Sequence, residues 1–322
     1  MDESKRSGND LGSFKALGAP YLVYQLLAGK VHGRGLAYGA NIFGGRCVTY
    51  IDNHVSDGRA KRMIDLDPMA KEDARMNGWH FVSSTSWTDF GGDTPQHVVN
   101  GCMVVVEETL TLIPNDHHIT HVFVCGGVGS IAVAIFQGFH TLLHRFIVVE
   151  TSEAGCLLQN AKDGEVRPLQ GSLCTVMVEL PCRDTSPAAW KILAWVANDF
   201  LSVPDSAATE GMTTLAGAYE GDIPVVCGES SAVSMDIMLA SSAEPFLRQI
   251  LGLDSDSQAL HFGLEGATDP EIYDFLLSES PATIFEAQDR FIAKNEVSTS
   301  SSWERCRELI SYPGGSSHTH SY

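Results

Sequence analysis

The sequence predicts an α/β protein in which helices cover both faces of a mostly parallel sheet. An apolar, β-branched run at Thr120–Cys125 is typical of a buried strand, and Arg145–Glu150 has the same character. Between them lie a glycine-rich turn, Gly126–Ser130, and a segment from Ile131 to Leu142 whose apolar residues recur every three or four positions. Strand, turn, helix and strand form a β-α-β unit, in which the two strands lie parallel in one sheet.

Strand and helix patterns continue to alternate on both sides of this unit. Short apolar runs predict four further strands, at Cys47–Ile51, Trp79–Ser83, Pro224–Cys227 and Ala259–Gly263. Apolar residues at helical spacing predict helices at Val98–Leu112 and Ala188–Leu201. Asp269 is expected to cap a helix that begins near Pro270. This organisation is typical of helices packed on a parallel sheet.

The composition narrows the classes of function. The 322 residues are 44% hydrophobic and 19% charged, which is ordinary for a globular protein with a sizeable core. A formal net charge of −19 argues against a nucleic-acid or anionic-membrane surface, but a local nest of backbone amides can still bind an anion. The sequence has no bilayer-spanning run and no apolar signal core, which predicts a cytosolic location with its 8 cysteines as free thiols.

The turn at Gly126–Ser130 is a candidate phosphate site. A glycine-rich turn that opens a helix presents bare backbone amides to phosphate oxygens, and the helix dipole favours negative charge there. Ser130 is expected to cap the helix and to add a hydroxyl donor. The turn has neither the Gly-Lys-Ser/Thr nor the G-x-G-x-x-G pattern of nucleotide sites, so a tight turn without a ligand explains it equally well on its own.

Lys15 is the candidate nucleophile. It lies among small and aromatic residues in the segment Gly12–Ala19, at the start of a predicted helix. Desolvation in such a place lowers the pKa of an ammonium group and makes the neutral amine available for a Schiff base. From this segment alone, a lysine that extends from a helix end into solvent is the alternative.

Several blocks of sequence, in chain order, resemble the diaminopropionate ammonia-lyase family of pyridoxal-phosphate (PLP) enzymes. The blocks are Asp2–Arg6 with Gly12–Ala19, His32–Tyr38, Gly126–Ser130, Ile147–Glu150, Gly228–Val233 and Glu265–Asp269. His32–Tyr38 is similar to the family's Asn-His-Gly-Arg-Gly segment, and Gly126–Ser130 to its phosphate loop. The resemblance extends from residue 2 to about residue 270, and it implies a fold of the tryptophan-synthase-β type.

The resemblance implies PLP as the cofactor, and no metal site is expected. By resemblance Lys15 carries PLP and is the catalytic residue. The residues that would bind the cofactor phosphate are Gly126, Gly127, Val128, Gly129 and Ser130. The candidate pocket residues are Ser13, Phe14, His32, Glu229 and Glu265. The implied reaction is α,β-elimination from a small amino acid, which gives ammonia and pyruvate.

Four positions depart from the family pattern. Val31 stands where the family has an asparagine that hydrogen-bonds the pyridoxal hydroxyl, and Gly29 stands where it has an aspartate. Gly263 and Leu264 replace a Ser-Thr pair that partners the pyridine nitrogen. These changes keep two alternatives open. One is β-replacement or other biosynthetic amino-acid chemistry, and the other is a catalytically inactive homologue that serves as a binding subunit.

The resemblance also divides the chain. The predicted parts are a large cofactor domain (1–29 and 95–310), a small domain (30–94) and a disordered tail (311–322). The small domain is expected to be shortened, because several dozen family residues have no counterpart in it. A homodimer is implied by the family.

Overall fold

The computed structural model describes residues 67–78, 94–114, 118–141, 145–171, 173–218 and 222–294. Its helices are α1 (Asp67–Asn77), α2 (Thr94–Leu112), α3 (Ser130–Phe139), α4 (Cys156–Asp163), α5 (Pro187–Val196), α6 (Asp205–Gly217), α7 (Glu229–Ala243), α8 (Pro245–Leu251), α9 (Pro270–Leu277) and α10 (Pro281–Lys294). Its strands are β1 (His121–Cys125), β2 (Arg145–Thr151), β3 (Asp199–Val203) and β4 (Ala259–His261). None of these helices is long and apolar enough to cross a membrane.

The four strands form one sheet in the order β3-β2-β1-β4, and every neighbouring pair is parallel. In β1, Phe123 lies beside Ile147 of β2 on one side and beside His261 of β4 on the other. The predicted parallel sheet and the β1-α3-β2 unit are both confirmed. Because all four strands run in the same direction, their carboxyl ends meet at one edge of the sheet.

Helices pack on both faces of this sheet, as predicted. Val122 and Val124 of β1 belong to an apolar core that they share with buried residues of α2, α3 and α5. Phe123 and Cys125 alternate with them and belong to a second core, which includes buried residues of α6, α7 and α8. Full burial of a valine or phenylalanine side chain, such as those of β1, stabilises the fold by about 1.5–3 kcal/mol. Burial on both faces explains why β1 has an almost continuous apolar run.

Helix boundaries agree with the sequence in two places. α2 ends at Leu112 as predicted and begins slightly earlier than predicted, at Thr94. Asp269 caps α9, because its carboxylate accepts a hydrogen bond from the amide of Ile272 at 3.3 Å. Pro270 occupies the first turn, where a missing amide hydrogen costs nothing.

The predicted helix at Ala188–Leu201 is wrong at its carboxyl end, where the chain forms β3. Ala197 leaves the helix with extended backbone (φ −72°, ψ 128°). The next residue, Asn198, makes two hydrogen bonds to Phe146 of β2. Its amide donates to the carbonyl of Phe146 at 2.8 Å, and its side-chain oxygen accepts from the amide of Phe146 at 2.7 Å. The tertiary pairing therefore overrides the helical spacing of the last residues.

Two predicted strands differ from the structure. Pro224–Cys227 forms no strand, because Val225 donates its amide to Leu215 of α6 at 2.8 Å instead of to a neighbouring strand. The strand predicted at Ala259–Gly263 is β4, but it ends earlier, at His261.

Other predictions lie outside the described residues. These are the strands Cys47–Ile51 and Trp79–Ser83, the helical position of Leu142 and the tail 311–322. The division into a large and a small domain also stays a prediction. Each of the cysteines within the described ranges is a free thiol, as expected.

His261 places a polar ring of β4 against the neighbouring strand β1. Its ring stacks on Phe123, with ring centroids 4.8 Å apart and an angle of 13° between the planes. Neither ring nitrogen has a hydrogen-bond partner in the part of the chain that is described. Burial lowers the pKa of His261 from 6.5 to about 4, because the charged imidazolium loses its hydration there.

Replacing His261 with Phe is expected to stabilise the protein, most strongly in mild acid. Phe preserves the stack on Phe123 and removes two unsatisfied nitrogen atoms. The unfolded chain binds more protons than the native one between about pH 6.5 and about pH 4, so native stability falls as the pH decreases through that window. At about pH 5 the variant therefore gains about 2 kcal/mol from this effect.

Urea unfolding at neutral pH and at about pH 5 measures this gain. His140→Gln, which changes an exposed histidine on the protein surface, is the matched control. A gain for His261→Phe that does not grow toward acid pH contradicts this explanation.

Candidate functional site

The candidate site lies where the carboxyl ends of the strands meet. β1 runs directly into the glycine turn, which is defined as Gly126–Ser130, and the neighbouring β2 ends with Glu150 and Thr151. The start of α7 lies on the other side, because the thiol of Cys125 is 3.8 Å from the carbonyl oxygen of Ser231. In parallel α/β sheets this edge is where ligands bind.

The glycine turn requires glycine for two different reasons. Gly129 has a φ of 98°, a conformation that other residues rarely adopt, and a Cβ there would lie 3.0 Å from atoms of both Ala189 and Leu193. A Cβ on Gly126 would lie only 2.5 Å from Cγ of Glu150. A side chain is therefore excluded at both of these positions of the turn.

Three backbone amides of the glycine turn have no acceptor within the described part of the chain. Among the described residues, nothing accepts a hydrogen bond from the amides of Gly127, Val128 and Gly129, although both glycines are buried. Buried amides require a partner. α3 begins at Ser130, so the positive end of its dipole lies at the same place. An anionic group such as a phosphate satisfies both the amides and the dipole.

Ser130 does not cap α3, contrary to prediction. Gly129 occupies the N-cap position, and no side chain caps the helix. Ser130 is the first residue of the helix, one position after the N-cap. Gly129 takes the left-handed conformation immediately before the helix and occupies the N-cap position instead. Since the Ser130 hydroxyl is not used as a cap, it stays available as a donor.

Carbonyl groups anchor the turn. The carbonyl of Val128 accepts from the amide of Ser186 at 3.0 Å, and the carbonyl of Gly127 accepts from the thiol of Cys156 at 3.4 Å. The amide of Gly126, the first in the turn, donates to the carbonyl of Val149 in β2 at 2.7 Å. The turn is thus fixed by these groups, while its following amides remain open to a ligand.

Glu150 lies behind the turn, fully buried. Its two carboxyl oxygens accept hydrogen bonds from the amides of Leu157 at 3.1 Å and Leu158 at 2.8 Å, in the first turn of α4. Burial raises the pKa of Glu150 to about 7, although the two amides and the Cys156 thiol oppose the rise. The sequence assigned no role to this residue. The available signal was a carboxylate at the end of an otherwise apolar strand.

The start of α7 forms the second side of the site, and Glu265 holds it. The carbonyl of Glu265 accepts from the amide of Gly228 at 2.8 Å, and its carboxylate accepts from the amide of Ser230 at 3.2 Å. The hydroxyl of Thr268 donates to the same carboxylate at 2.8 Å. Both predicted pocket carboxylates, Glu229 and Glu265, are buried, with 2% and 3% of their surface exposed. Their contact with a ligand stays a prediction.

Comparison with known proteins identifies the family. A family model described as pyridoxal-phosphate dependent enzyme matches residues 5–245. The chain belongs to this family. Two curated relatives are diaminopropionate ammonia-lyases. The one from Escherichia coli is 27% identical and covers 84% of this chain and 80% of its own length. The one from Salmonella typhimurium is also 27% identical and covers 85% and 81%.

Solved structures of PLP-dependent enzymes share the fold. Diaminopropionate ammonia lyase from Escherichia coli, in complex with an aminoacrylate-PLP azomethine reaction intermediate, has a TM-score of 0.75 at 27% identity and covers 86% of this chain and 81% of its own. A fungal L-serine ammonia-lyase from Rhizomucor miehei has a TM-score of 0.63 at 15% identity, covering 84% and 89%. The predicted tryptophan-synthase-β type of fold is therefore confirmed.

PLP is the cofactor of this family, and the described residues fit its phosphate. The amides of Gly127, Val128 and Gly129 lack an acceptor among the described residues, and they lie at the amino end of α3. A phosphate group carries the charge and the acceptor oxygens that these amides require. The glycine turn therefore fits the phosphate of PLP, and its role in binding that phosphate stays a prediction.

Two departures from the family pattern can be seen in the structure. Leu264 is 8% exposed within an apolar core, and its amide donates to the hydroxyl of Ser231 at 3.1 Å. A Cβ on Gly263 would lie 3.6 Å from the sulfur of Cys227. Burial raises the pKa of the Cys227 thiol, which therefore stays neutral. Neither position 263 nor position 264 supplies the hydroxyl that the resemblance implies.

The remaining candidate residues lie outside the described ranges. They are Ser13, Phe14, Lys15, Gly29, Val31 and His32. The role of Lys15 as the cofactor lysine and the pocket roles of the others stay predictions.

Proposed function

We propose that this chain is a PLP-dependent ammonia-lyase that catalyses α,β-elimination from a small amino acid and releases ammonia and pyruvate. One observation carries the proposal: the glycine turn Gly126–Ser130, at the carboxyl edge of a parallel sheet, has buried amides that find no acceptor among the described residues. The identity of 27% over 84% of this chain with a diaminopropionate ammonia-lyase supports diaminopropionate, or a close analogue, as the substrate.

The residues of the chain have separate tasks in this proposal. PLP, when bound, supplies the electron sink for the negative charge that develops at the α-carbon of the substrate. Lys15 holds the cofactor and then takes the α-proton as a general base. The amides of Gly127, Val128 and Gly129 bind the phosphate and thereby fix the distance between the cofactor and Lys15.

The pocket residues complete the proposal. Ser13 and Phe14, the neighbours of Lys15 in sequence, and His32 line the substrate side. Glu229 lines the pocket at the first residue of α7. Glu265 holds the start of that helix through the bonds to Ser230 and Thr268, so its carboxylate shapes the site and does not exchange protons with the substrate.

Product analysis tests the function. Purified protein is loaded with PLP and incubated with 2,3-diaminopropionate, serine and threonine, and ammonia and keto acid are measured separately. We expect two molecules of ammonia for each molecule of pyruvate from diaminopropionate, because the β-amino group leaves in the elimination and the α-amino group leaves when the product imine is hydrolysed. Loaded protein that binds PLP and turns over none of these amino acids would favour the inactive homologue that serves as a binding subunit.

β-Replacement is a second candidate function, and the missing hydroxyl at Gly263 favours it. Without a polar partner for the pyridine nitrogen, the ring stabilises less carbanion charge. Added thiol or amine nucleophiles distinguish the reactions, because β-replacement incorporates the nucleophile into an amino-acid product, whereas elimination releases keto acid whether or not the nucleophile is present.

Gly263→Ser is expected to increase the elimination rate by about tenfold, since one hydrogen bond to a charged group contributes about 1.5 kcal/mol. The new side chain has room, because its Cβ lies in ordinary contact, 3.6 Å from the Cys227 sulfur. Gly263→Ala adds the same carbon without the hydroxyl and is the matched control. Equal rates for the two variants would show that the missing hydroxyl does not limit elimination.

We also propose that the enzyme is a cytosolic homodimer, as the resemblance implies. Light scattering of the loaded protein tests the dimer, and a mass corresponding to a single 34.8 kDa chain contradicts it.

A further inference from the structure

The carboxyl side chain of Glu150 contacts the glycine turn. Glu150 is the last residue but one of the apolar strand β2 and has no exposed surface. A buried carboxyl is costly unless its charge is neutralised or its oxygens are hydrogen-bonded. Its contacts therefore show what the protein gains from keeping it.

The side chain of Glu150 lies directly behind the first residue of the turn. A Cβ on Gly126 would be 2.5 Å from Cγ of Glu150 and 3.2 Å from its Oε1. The amide of Gly126 is bonded to the carbonyl of Val149 at 2.7 Å. The start of the turn is consequently held between the backbone of β2 and the Glu150 side chain.

The same carboxyl also fixes α4 to the turn. Its oxygens accept from the amides of Leu157 and Leu158, at the positive end of α4. The Cys156 thiol is 3.8 Å from Oε1 of Glu150 and 3.4 Å from the carbonyl of Gly127. A continuous set of contacts thus joins α4, Glu150 and the turn.

We propose that Glu150 is a positioning residue for the glycine turn, and that binding of the cofactor phosphate is linked to protonation of its carboxyl. This inference rests on the proposed function, because the bound anion is the phosphate of PLP. Glu150 touches neither substrate nor cofactor in this scheme. It acts through the backbone of Gly126.

The electrostatic reason is repulsion between like charges. An ionised Glu150 lies behind Gly126, and a phosphate bound to the amides of the turn lies on the ligand side of the same backbone. The phosphate therefore favours the neutral carboxyl, and cofactor affinity falls as rising pH removes the proton. The shift of the pKa of Glu150 to about 7 places this change near neutrality.

Few other groups around the Glu150 carboxyl change their charge in this pH range. From α4, Cys156 faces the carboxyl, and burial together with Glu150 raises the pKa of its thiol so that it stays neutral. From β3, the register partner of Glu150 is the uncharged Ser202. Cys182 lies beside the turn, where a Cβ on Gly127 would be 3.7 Å from its sulfur. In the described part of the chain, no other titratable side chain shifts the pKa of Glu150.

The test compares PLP affinity of the native protein, Glu150→Gln and Glu150→Asp between about pH 6 and about pH 8. Glu153→Gln, which removes an exposed carboxyl three positions away, is the matched control. The cofactor's own titrations cancel when each affinity is divided by that of Glu150→Gln. The ratio is expected to fall about tenfold with rising pH for the native protein and for Glu153→Gln. Glu150→Asp is expected to retain the fall.

A ratio that stays constant with pH overturns the proposal, since a purely structural glutamate changes affinity equally at every pH. Infrared difference spectra of the native protein give a second readout that needs no variant. The spectra are recorded near pH 7.5, about half a pH unit above the pKa of Glu150. PLP loading is expected to increase the carbonyl band of the protonated carboxyl at this pH. A spectrum without this increase overturns the proposal, whereas failure of the native protein to load PLP overturns the proposed function instead.

Discussion

Lys15→Ala is expected to lose the visible absorbance of bound PLP and to reduce the elimination rate by at least about 10³-fold. The proposal gives Lys15 two tasks, because it holds the cofactor and then takes the α-proton. Alanine can do neither. Absorbance after PLP addition and keto-acid release from diaminopropionate measure the two losses separately.

The control for this variant is Lys162→Ala, at an exposed lysine in the last turn of α4. It removes the same charge at an exposed position of α4 and is expected to keep both the absorbance and the rate. A Lys15→Ala protein that retained native turnover would refute the assignment of Lys15, even if PLP were still bound.

Gly126→Ala is expected to weaken PLP binding roughly 100-fold, because overpacking of this kind costs about 1–3 kcal/mol. The added carbon would lie 2.5 Å from Cγ of Glu150, a distance that real Cβ atoms do not tolerate. Glu150 is fully buried and held by two amides of α4, so it cannot move aside easily. The turn must then shift, and its amides lose their alignment. PLP titration and urea unfolding measure the effect.

Gly217→Ala is the matched control for this substitution. Gly217 ends α6, its φ is not in the positive region, and nothing lies within 4 Å of its Cβ position. The same change of residue is therefore expected to alter stability by less than about 1 kcal/mol and to leave PLP affinity unchanged. Native affinity in Gly126→Ala would contradict the role given to the turn.

The central part of the fold was predictable because local patterns and tertiary structure agree there. The run Thr120–Cys125 predicted β1, since a strand buried on both faces has no polar alternation. The glycines that follow could only form a turn, and the apolar spacing after them predicted α3. The sequence resemblance then assigned the turn to a phosphate, and the open amides are consistent with that assignment.

Other features could not be predicted because they depend on distant contacts. The first part of β3, as far as Leu201, was assigned to the end of a helix, and only the pairing with β2 makes it a strand. The role of Glu150 depends on its closeness to Gly126, which no spacing rule reveals. Likewise, the burial of Glu265 depends on Ser230 and on the start of α7.

The most direct measurement of the central claim is the absorbance spectrum of the native protein after PLP addition, before and after borohydride reduction, followed by mass spectrometry of the modified peptide. We expect a visible band that reduction removes, with the reduced cofactor attached to Lys15. Absence of the band, or attachment to a different lysine, would contradict the claim that the glycine turn and Lys15 form one PLP site.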